Sequence, residues 1–190
     1  MKNFLFAPLI FIGDTHGFLD DFKKQEEVIK EVKPDHVLLE QLEDNTLDSP
    51  EAFKFFKENR LKDFPRLNKI INLCEKESVN LIGIDFKNFG LTRHLQEIIN
   101  KKLIPSIEDN ENFDKIIMRR ERLHIKKINE YKTKTNKPLV IILGAWHLRE
   151  DSLIRKYFNR FKIIYPSDKS GKLVIEPTDE EIIYNEYIKT

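Results

Sequence analysis

One stretch of the chain decides its fold: Ile10-Phe11-Ile12-Gly13-Asp14-Thr15-His16-Gly17. An apolar run ends at a glycine, and an acid, a hydroxyl and an imidazole follow within the next three positions. A short apolar run bounded by a turn signal predicts a buried strand. In open α/β sheets, ligands bind beyond the carboxyl ends of the strands. The polar residues after the glycine are therefore expected at a binding edge.

The same pattern returns near the other end of the chain. The apolar run at 139–143 is followed by Gly144-Ala145-Trp146-His147, so both runs end in Gly-x-x-His. Parallel strands of one sheet present their carboxyl ends at the same edge. We therefore predict that His16 and His147 converge on one site.

Between these motifs, helical and strand patterns alternate. Asp20-Asp21 is predicted to cap a helix that reaches Lys33, and His36–Glu40 is the next strand. A strand–helix–strand unit of this length, about 30 residues, requires parallel strands. Helices are then expected near 51–60, 65–78, 91–100, 108–133 and 150–159, and strands at 80–84 and 161–165, with a polar loop at 45–50.

The carboxyl-terminal end is predicted to hold an edge strand at Lys172–Ile175 and a final helix capped by Thr178. The alternation of strands and helices predicts an α/β fold with a mostly parallel central sheet flanked by helices and an antiparallel edge strand. Length and composition predict one domain over residues 1–190.

The composition argues against several functional classes. The 33 basic and 32 acidic residues nearly cancel, so neither nucleic acid nor an anionic membrane is indicated as a partner. The single cysteine, Cys74, excludes an internal disulfide, and its apolar surroundings predict a buried structural thiol. No apolar run approaches the roughly 20 residues that span a bilayer. We expect a cytoplasmic protein, with the oligomeric state open and a homo-oligomer among the options.

Polar side chains follow each predicted parallel strand. Two imidazoles and one or more carboxylates form a plausible ligand set for a catalytic divalent metal ion that keeps one position open for water. Such an ion turns water into a nucleophile or polarises a carbonyl. We predict His16, Glu40 and His147 as ligands and Asp14 as a further ligand or general base. Other acids near strand ends are Glu43 and Asp85.

The long helix predicted at 108–133 brings a cation to this region. Arg120 and His124 fall in the gap of its apolar stripe, which runs through Phe113, Ile117, Ile128 and Tyr131. A strongly hydrated side chain on an inward face needs a partner. Arg120 or Arg122 is predicted to orient a carboxylate ligand or to stabilise a developing oxyanion.

Each of these residues also has an ordinary structural explanation. Loop histidines are commonly hydrogen-bonded, Glu40 fits the first solvated position after a strand, and Asp85 fits a helix cap. For His124 the alternative is packing against Tyr131 or Ile128, and for the arginines it is a surface salt bridge. Trp146 fits either a wall that faces substrate or a core anchor. Two histidines are given no site role: His36 is predicted to be structural, and His94 to lie on a surface helix.

Three segments together resemble the TraB/Tiki/GumN family, which is grouped with the erythromycin-esterase/ChaN-like proteins. They are Gly13-Asp14-Thr15-His16, then Glu40 after Lys33-Pro34-Asp35, and then Gly144-Ala145-Trp146-His147-Leu148. The family pattern has an N-terminal Gly-x-x-His, a strand ending in Glu, a helix with an arginine and a Gly-Ala-x-His-Leu. The ordered set extends from Leu9 to Tyr165.

The resemblance implies a metal-dependent hydrolase using Mn, Co or Zn, with peptidase activity as in the Tiki branch. It carries His16 and His147 over as the motif histidines and Glu40 as the acid. The family arginine maps to Arg119, Arg120 or Arg122. At the second position of the first motif the family usually has a small uncharged residue. Asp14 is instead similar to the acidic Gly-Glu-x-His motif of the ChaN-like proteins, so the branch of the family is open. The substrate, a peptide or a small molecule, is open as well.

Two alternative functions use the same residues. Gly13-Asp14-Thr15-His16-Gly17 also resembles the first motif of calcineurin-like metallophosphoesterases, but the later Gly-Asn-His-Glu motif does not occur in this chain. The other alternative is a non-catalytic regulatory protein that binds a metal ion or haem with the same histidines, because ligands look alike whether or not chemistry follows.

Overall fold

The two motif strands form the centre of the sheet. In the computed structural model, which describes residues 8–15, 19–175, 178 and 181–190, β1 (Leu9–Asp14) and β5 (Leu139–Gly144) pair in parallel along their whole length. Asp14 lies opposite Gly144, and both strands are buried throughout because their side chains are almost all apolar. The predicted adjacency of the two motif strands is confirmed.

The described part of the chain forms one sheet of seven strands in the order β3-β4-β2-β5-β1-β6-β7. The five central strands are parallel, and β3 and β7 are antiparallel at the two edges. The predicted mostly parallel α/β fold is therefore confirmed. The remaining strands are β2 (His36–Leu39), β3 (Thr46–Leu47), β4 (Asn80–Gly83), β6 (Phe161–Ser167) and β7 (Ile183–Lys189).

Helices cover both faces of the sheet. Ile10 and Ile12 pack with apolar residues of α1–α3 on one face, whereas Leu9 and Phe11 pack with α5 and α6 on the other. None of the helices in the described residues is both long and apolar enough to cross a membrane. The helices are α1 (Leu19–Val32), α2 (Pro50–Asn59), α3 (Asn68–Lys76), α4 (Arg93–Asn100), α5 (Ile107–Lys132) and α6 (Leu153–Tyr157).

Cys74 is a buried core residue of α3, as predicted for a structural thiol. Burial raises the pKa of its thiol to about 12, so the reactive thiolate is scarce at neutral pH.

The carboxyl-terminal end differs from the prediction. The prediction of a final helix after Thr178 is wrong. Ile183–Lys189 forms strand β7, which pairs antiparallel with the whole of β6. Without β7, the backbone N–H and C=O groups along that side of β6 would lack hydrogen-bond partners. Strand pairing supplies these partners, and it outweighs the helix preference indicated by the acidic residues that precede β7 in the sequence. The edge strand expected at Lys172–Ile175 is reduced to a single bridge between Leu173 and Ser167.

Smaller differences lie at element ends. Asp20 and Asp21 occupy the first turn of α1 and do not cap it from outside. The helix expected at 150–159 is only α6, which Ser152 caps through a side-chain bond to the amide of Arg155. Part of the predicted loop at 45–50 pairs with β4 as the short strand β3.

Candidate functional site

Six polar side chains gather between the carboxyl edge of the sheet and helix α5, and we call them the α5 cluster. Sequence reasoning placed five of them in or near the site and missed Glu121. The cluster consists of Glu40, Asp85, Arg120, Glu121, His124 and His147, all buried except Arg120, which is largely buried. His16, the first predicted metal ligand, lies outside the described residues.

Glu40 joins three elements at this edge. It follows β2 as the first residue of a 3-10 turn, and only 2% of its surface is exposed. One carboxylate oxygen accepts the backbone N–H of Gly144 at the end of β5, and the other accepts a hydrogen bond from Arg120 on α5. Glu40 is therefore not a solvated residue at the end of a strand, because these hydrogen bonds hold its buried carboxylate in one orientation.

Arg120 supplies the positive charge for two buried carboxylates. Its Nε and Nη2 donate to Oδ2 of Asp85 over 2.8 and 2.6 Å, and Nη2 also donates to Glu40. Burial by itself would raise the pKa of Asp85, but the close contact with His124 and the hydrogen bonds from Arg120 outweigh it and lower that pKa. These contacts fit the predicted role of orienting a carboxylate.

The other two candidate arginines lie elsewhere on α5. Arg119 is exposed and its guanidinium stacks 4.5 Å from the ring centre of Phe86. Arg122 is also exposed and lines a separate shallow pocket with Tyr157. Neither has a described contact with Glu40, so Arg120 is the arginine that the structure brings to the cluster.

His147 is held by a carboxylate that sequence reasoning missed. It lies on the 3-10 turn that follows β5, and its Nδ1 is 3.2 Å from Oε1 of Glu121. Glu121 also accepts hydrogen bonds from Arg149 and from the backbone N–H of Leu153. Burial would raise the pKa of Glu121, but bonds from His147, Leu153 and Arg149 lower it to about 2.

This contact fixes which ring nitrogen of His147 carries a hydrogen. The ionised Glu121 can only accept hydrogen bonds, so the hydrogen belongs on Nδ1. In the neutral ring, the Nε2 lone pair then lies 3.7 Å from Oε1 of Glu40. Both atoms present lone pairs to the gap between them. A carboxylate on the far ring nitrogen is also the usual outer-shell support of a metal-binding histidine.

His124 fills the space behind these residues. It is fully buried; its Nε2 is 3.3 Å from Oδ2 of Asp85 without good hydrogen-bond alignment, and neither ring nitrogen has a hydrogen-bond partner among the described residues. Its ring packs edge-on to that of His147, with centroids 5.0 Å apart. Burial and the neighbouring His147 lower the pKa of His124, so the ring is neutral at pH 7.

A second polar group lies on the other face of the sheet, and we call it the α1 cluster. Oδ2 of Asp14 accepts hydrogen bonds from the amides of Gln25 and Gln41, both over 3.0 Å. Asp21 accepts bonds from the N–H and hydroxyl of Thr15 and from the Tyr184 hydroxyl. Burial and the nearby charge of Asp14 raise the pKa of Asp21 despite these bonds. The cluster consists of Asp14, Thr15, Asp21, Gln25, Gln41 and Tyr184.

The structure thus separates the predicted acids. Glu40 faces α5 beside His147, whereas Asp14 faces α1. Within residues 8–15, 19–175, 178 and 181–190, no three His, Cys, Asp or Glu side chains are arranged to hold a metal ion. Of the three predicted ligands, the structure brings His147 and Glu40 together.

The remaining predicted residues lie in ordinary surroundings. Trp146 is 45% exposed and packs against the Arg149 guanidinium, so it is not a core anchor. His36 packs edge-on to Tyr131 at the start of β2, and His94 is an exposed partner of Asp109. Glu43 is buried and accepts the backbone N–H of Asn88.

Comparison with known proteins adds little to this geometry. No family model and no curated protein matches the chain. A solved structure of ChaN of Campylobacter jejuni, described as showing cofacial haem binding, is similar with 14% sequence identity and a TM-score of 0.49, over 95% of this chain and 89% of that chain. The haem is a property of that protein. The TraB/Tiki/GumN resemblance stays a prediction.

Proposed function

We propose that this protein is a divalent-metal-dependent hydrolase whose ion is bound by His147, Glu40 and His16. The observation that carries the proposal is the arrangement of His147: Glu121 holds its Nδ1, and its Nε2 is 3.7 Å from Oε1 of Glu40. Two ligands of one tetrahedral ion lie about 3 to 3.5 Å apart, because each ligand is about 2 Å from the metal. Little movement would bring both donors to one ion.

The neighbouring residues have positioning roles in this proposal. The Gly144 N–H and Arg120 hold the Glu40 carboxylate, and Glu121 fixes the tautomer and tilt of His147. Arg120 also balances the charge of Asp85 beneath the site. When bound, the ion would lower the pKa of a water molecule or polarise a carbonyl of the substrate.

The TraB/Tiki/GumN assignment belongs to the same proposal. Its support is that Glu40, Arg120 and His147, which match separate motifs of that family, lie in one cluster. Asp14 has weaker support as a ligand, because it faces the opposite side of the sheet, where it binds the amides of Gln25 and Gln41.

The first test is metal binding by the purified protein. We expect about one Mn, Co or Zn ion per chain in the wild type, and loss of that ion in His16→Ala, Glu40→Gln and His147→Ala. His94→Ala is the matched control, because His94 is exposed and remote from the cluster. Elemental analysis and calorimetric titration measure both stoichiometry and affinity. A wild-type protein that stays metal-free after supplementation overturns the proposal.

The supporting role of Glu121 gives a sharper test. Glu121→Gln keeps the shape of the side chain but removes the charge behind His147, so we expect metal affinity to fall about 10- to 100-fold. Glu111→Gln, an exposed change on the same helix, is the control and should leave affinity unchanged. An unchanged affinity in Glu121→Gln would mean that His147 is not a ligand held in this way.

Turnover separates the proposed function from its alternatives. The metal-loaded protein is assayed with a peptide panel and with phosphoesters, and the metal-free protein is titrated with haem by absorbance. Peptide cleavage that is lost in His147→Ala supports the proposal. Cleavage of phosphoesters alone supports the metallophosphoesterase alternative, and binding of metal or haem without turnover identifies a binding protein.

A further inference from the structure

A cavity of about 390 Å³ opens between Gln41 and Phe89, and the Phe89 ring lies against Arg120 of the α5 cluster. Ligand pockets in proteins have volumes from about 300 to 1,000 Å³, so this cavity holds a side chain or a small ring system. One part of its wall is apolar and is formed by Phe64, Pro65, Leu67 and Phe89. The charged Asp63 and Arg66 also line it, but both are exposed residues at its rim.

Two residues of the cavity wall connect it to the two polar clusters: Gln41 belongs to the α1 cluster, and Phe89 contacts the α5 cluster. Gln41 follows Glu40 directly in the chain, and its amide donates to Asp14 over 3.0 Å. Phe89 lies with its ring centre 5.0 Å from the guanidinium carbon of Arg120, which binds Glu40. A group bound in the cavity would therefore contact Phe89, whose ring lies against Arg120, the residue that binds Glu40.

The segment that carries Phe89 has an unusual backbone. Asn88 and Phe89 have φ angles of 50° and 54°, the left-handed region that large side chains rarely adopt. The conformation is held by the Glu43 carboxylate, which accepts the Asn88 N–H over 2.7 Å, and by the stacking of Phe89 on Arg120. Backbone held in such a conformation is concentrated at ligand clamps and active sites. Here it places an aromatic ring between the cavity and the cluster.

We propose that this cavity is a subsite for an aromatic or branched aliphatic group of the substrate, and that Phe89 determines this specificity. The apolar wall favours such a group because it removes apolar surface from water. Among the described residues that line the cavity, Glu43 is the only buried charged one, and its carboxylate already accepts the Asn88 N–H. The link to a substrate rests on the proposed hydrolase function, but the binding of an apolar group does not require the metal.

The test compares two probes that differ only in their side chain. N-acetyl-L-phenylalanine amide and N-acetylglycine amide are titrated into the full chain, once with EDTA and once with metal, and binding is followed by NMR. We expect the phenylalanine probe to bind about tenfold more tightly or better, with shift changes at Gln41, Leu67 and Phe89. Equal affinities for the two probes would overturn the inference.

Variants at two aromatic positions test the assignment of Phe89. Phe89→Ala should bring the two affinities to within about twofold, whereas Phe89→Leu, which keeps an apolar wall, should retain most of the preference. Phe86→Ala is the matched control in the same segment, because Phe86 stacks on Arg119 and does not line the cavity. Thermal melts verify that each variant is folded. Loss of the preference in Phe86→Ala as large as in Phe89→Ala would contradict the assignment.

The two proposals fail in different ways. If the phenylalanine preference holds in EDTA but no metal binds, the subsite stands and the hydrolase proposal falls. If His147-dependent metal binding is found without any probe preference, the metal site stands and the subsite falls.

Discussion

The two faces of the sheet carry similar acids in opposite surroundings. In the α5 cluster, Glu40 and Asp85 share the charge of Arg120, and the pKa of Asp85 is lowered. In the α1 cluster, Asp14 and Asp21 receive their described hydrogen bonds from amides and hydroxyls, and the pKa of Asp21 is raised. Burial acts to raise the pKa of both Asp85 and Asp21, and at Asp85 the contacts with His124 and Arg120 reverse the balance.

The α5 cluster is thus built on opposite charges, whereas the α1 cluster is built on hydrogen bonds between neighbouring elements. The α5 cluster is an arrangement of charges around two histidines, held by hydrogen bonds with Arg120 and Glu121. The α1 cluster joins the end of β1, the start of α1 and β7, because Asp21 binds both Thr15 and Tyr184. Gln41 lies between them: it follows Glu40 in the chain and donates to Asp14. Variants that remove one partner from each cluster should therefore have very different effects.

The largest effect is expected from Arg120→Met. It leaves Glu40 and Asp85 as buried charges without their cation, and breaking a buried ion pair in this way destabilises proteins by about 3 to 5 kcal/mol. Arg120→Lys keeps a charge but loses the forked geometry, so its loss of stability should be smaller. Urea unfolding measures the free energy of unfolding.

Arg119→Met is the matched control on the neighbouring position of α5. Arg119 is exposed and contacts Phe86, so we expect a loss of at most about 1 kcal/mol. Equal losses for Arg119→Met and Arg120→Met would show that the α5 cluster does not depend on its cation.

A smaller effect is expected from Tyr184→Phe in the α1 cluster. It removes one hydrogen bond to the Asp21 carboxylate and leaves no unpaired cation, so the loss near pH 7 should be about 1.5 to 2 kcal/mol. The Tyr184 hydroxyl favours the charged carboxylate, that is, it lowers the pKa of Asp21 against the effect of burial. The lost stability is therefore largest near pH 7 and shrinks toward pH 4, as the carboxyl becomes protonated. Urea unfolding at both pH values checks the sign.

Tyr187→Phe on the same strand is the control for that change. Tyr187 is 40% exposed, and its hydroxyl has no hydrogen bond within the described residues. The control should stay within about 0.5 kcal/mol of the wild type at both pH values. If the loss of stability in Tyr184→Phe grows toward acid pH, the Tyr184 hydroxyl does not stabilise the charged Asp21 carboxylate.

The strands and the residues at their ends were predictable because both follow from short-range patterns. Each central strand is an apolar run, and the positions after these runs gave Glu40, Asp85 and His147. The inward positions of Arg120 and His124 were also predictable, because both interrupt the apolar stripe of the long helix, and a polar residue on that face needs a buried partner. What the sequence could not show is which carboxylate each of them meets, since those contacts join residues far apart in the chain.

Glu121 and strand β7 were not predicted from the sequence, for identifiable physical reasons. Glu121 stands in the charged run Met118-Arg119-Arg120-Glu121-Arg122, which has the composition of a solvated helix face, yet it is buried beneath His147. Strand β7 follows a threonine and several acids, which are typical of a helix start. Its conformation is decided by pairing with β6, a long-range contact that local propensity does not contain.

The smallest effect is expected from Arg122→Ala, which decides between the arginines that the sequence left open. Arg122 is exposed and lies away from Glu40, so stability should change by less than about 0.5 kcal/mol. Metal affinity and any turnover should equal those of the wild type, whereas Arg120→Lys should weaken both by disturbing Glu40. Calorimetric titration and the turnover assay compare the two variants directly. If Arg122→Ala is the more damaging of the two, the charge that serves the site comes from Arg122, and the cluster built on Arg120 is structural.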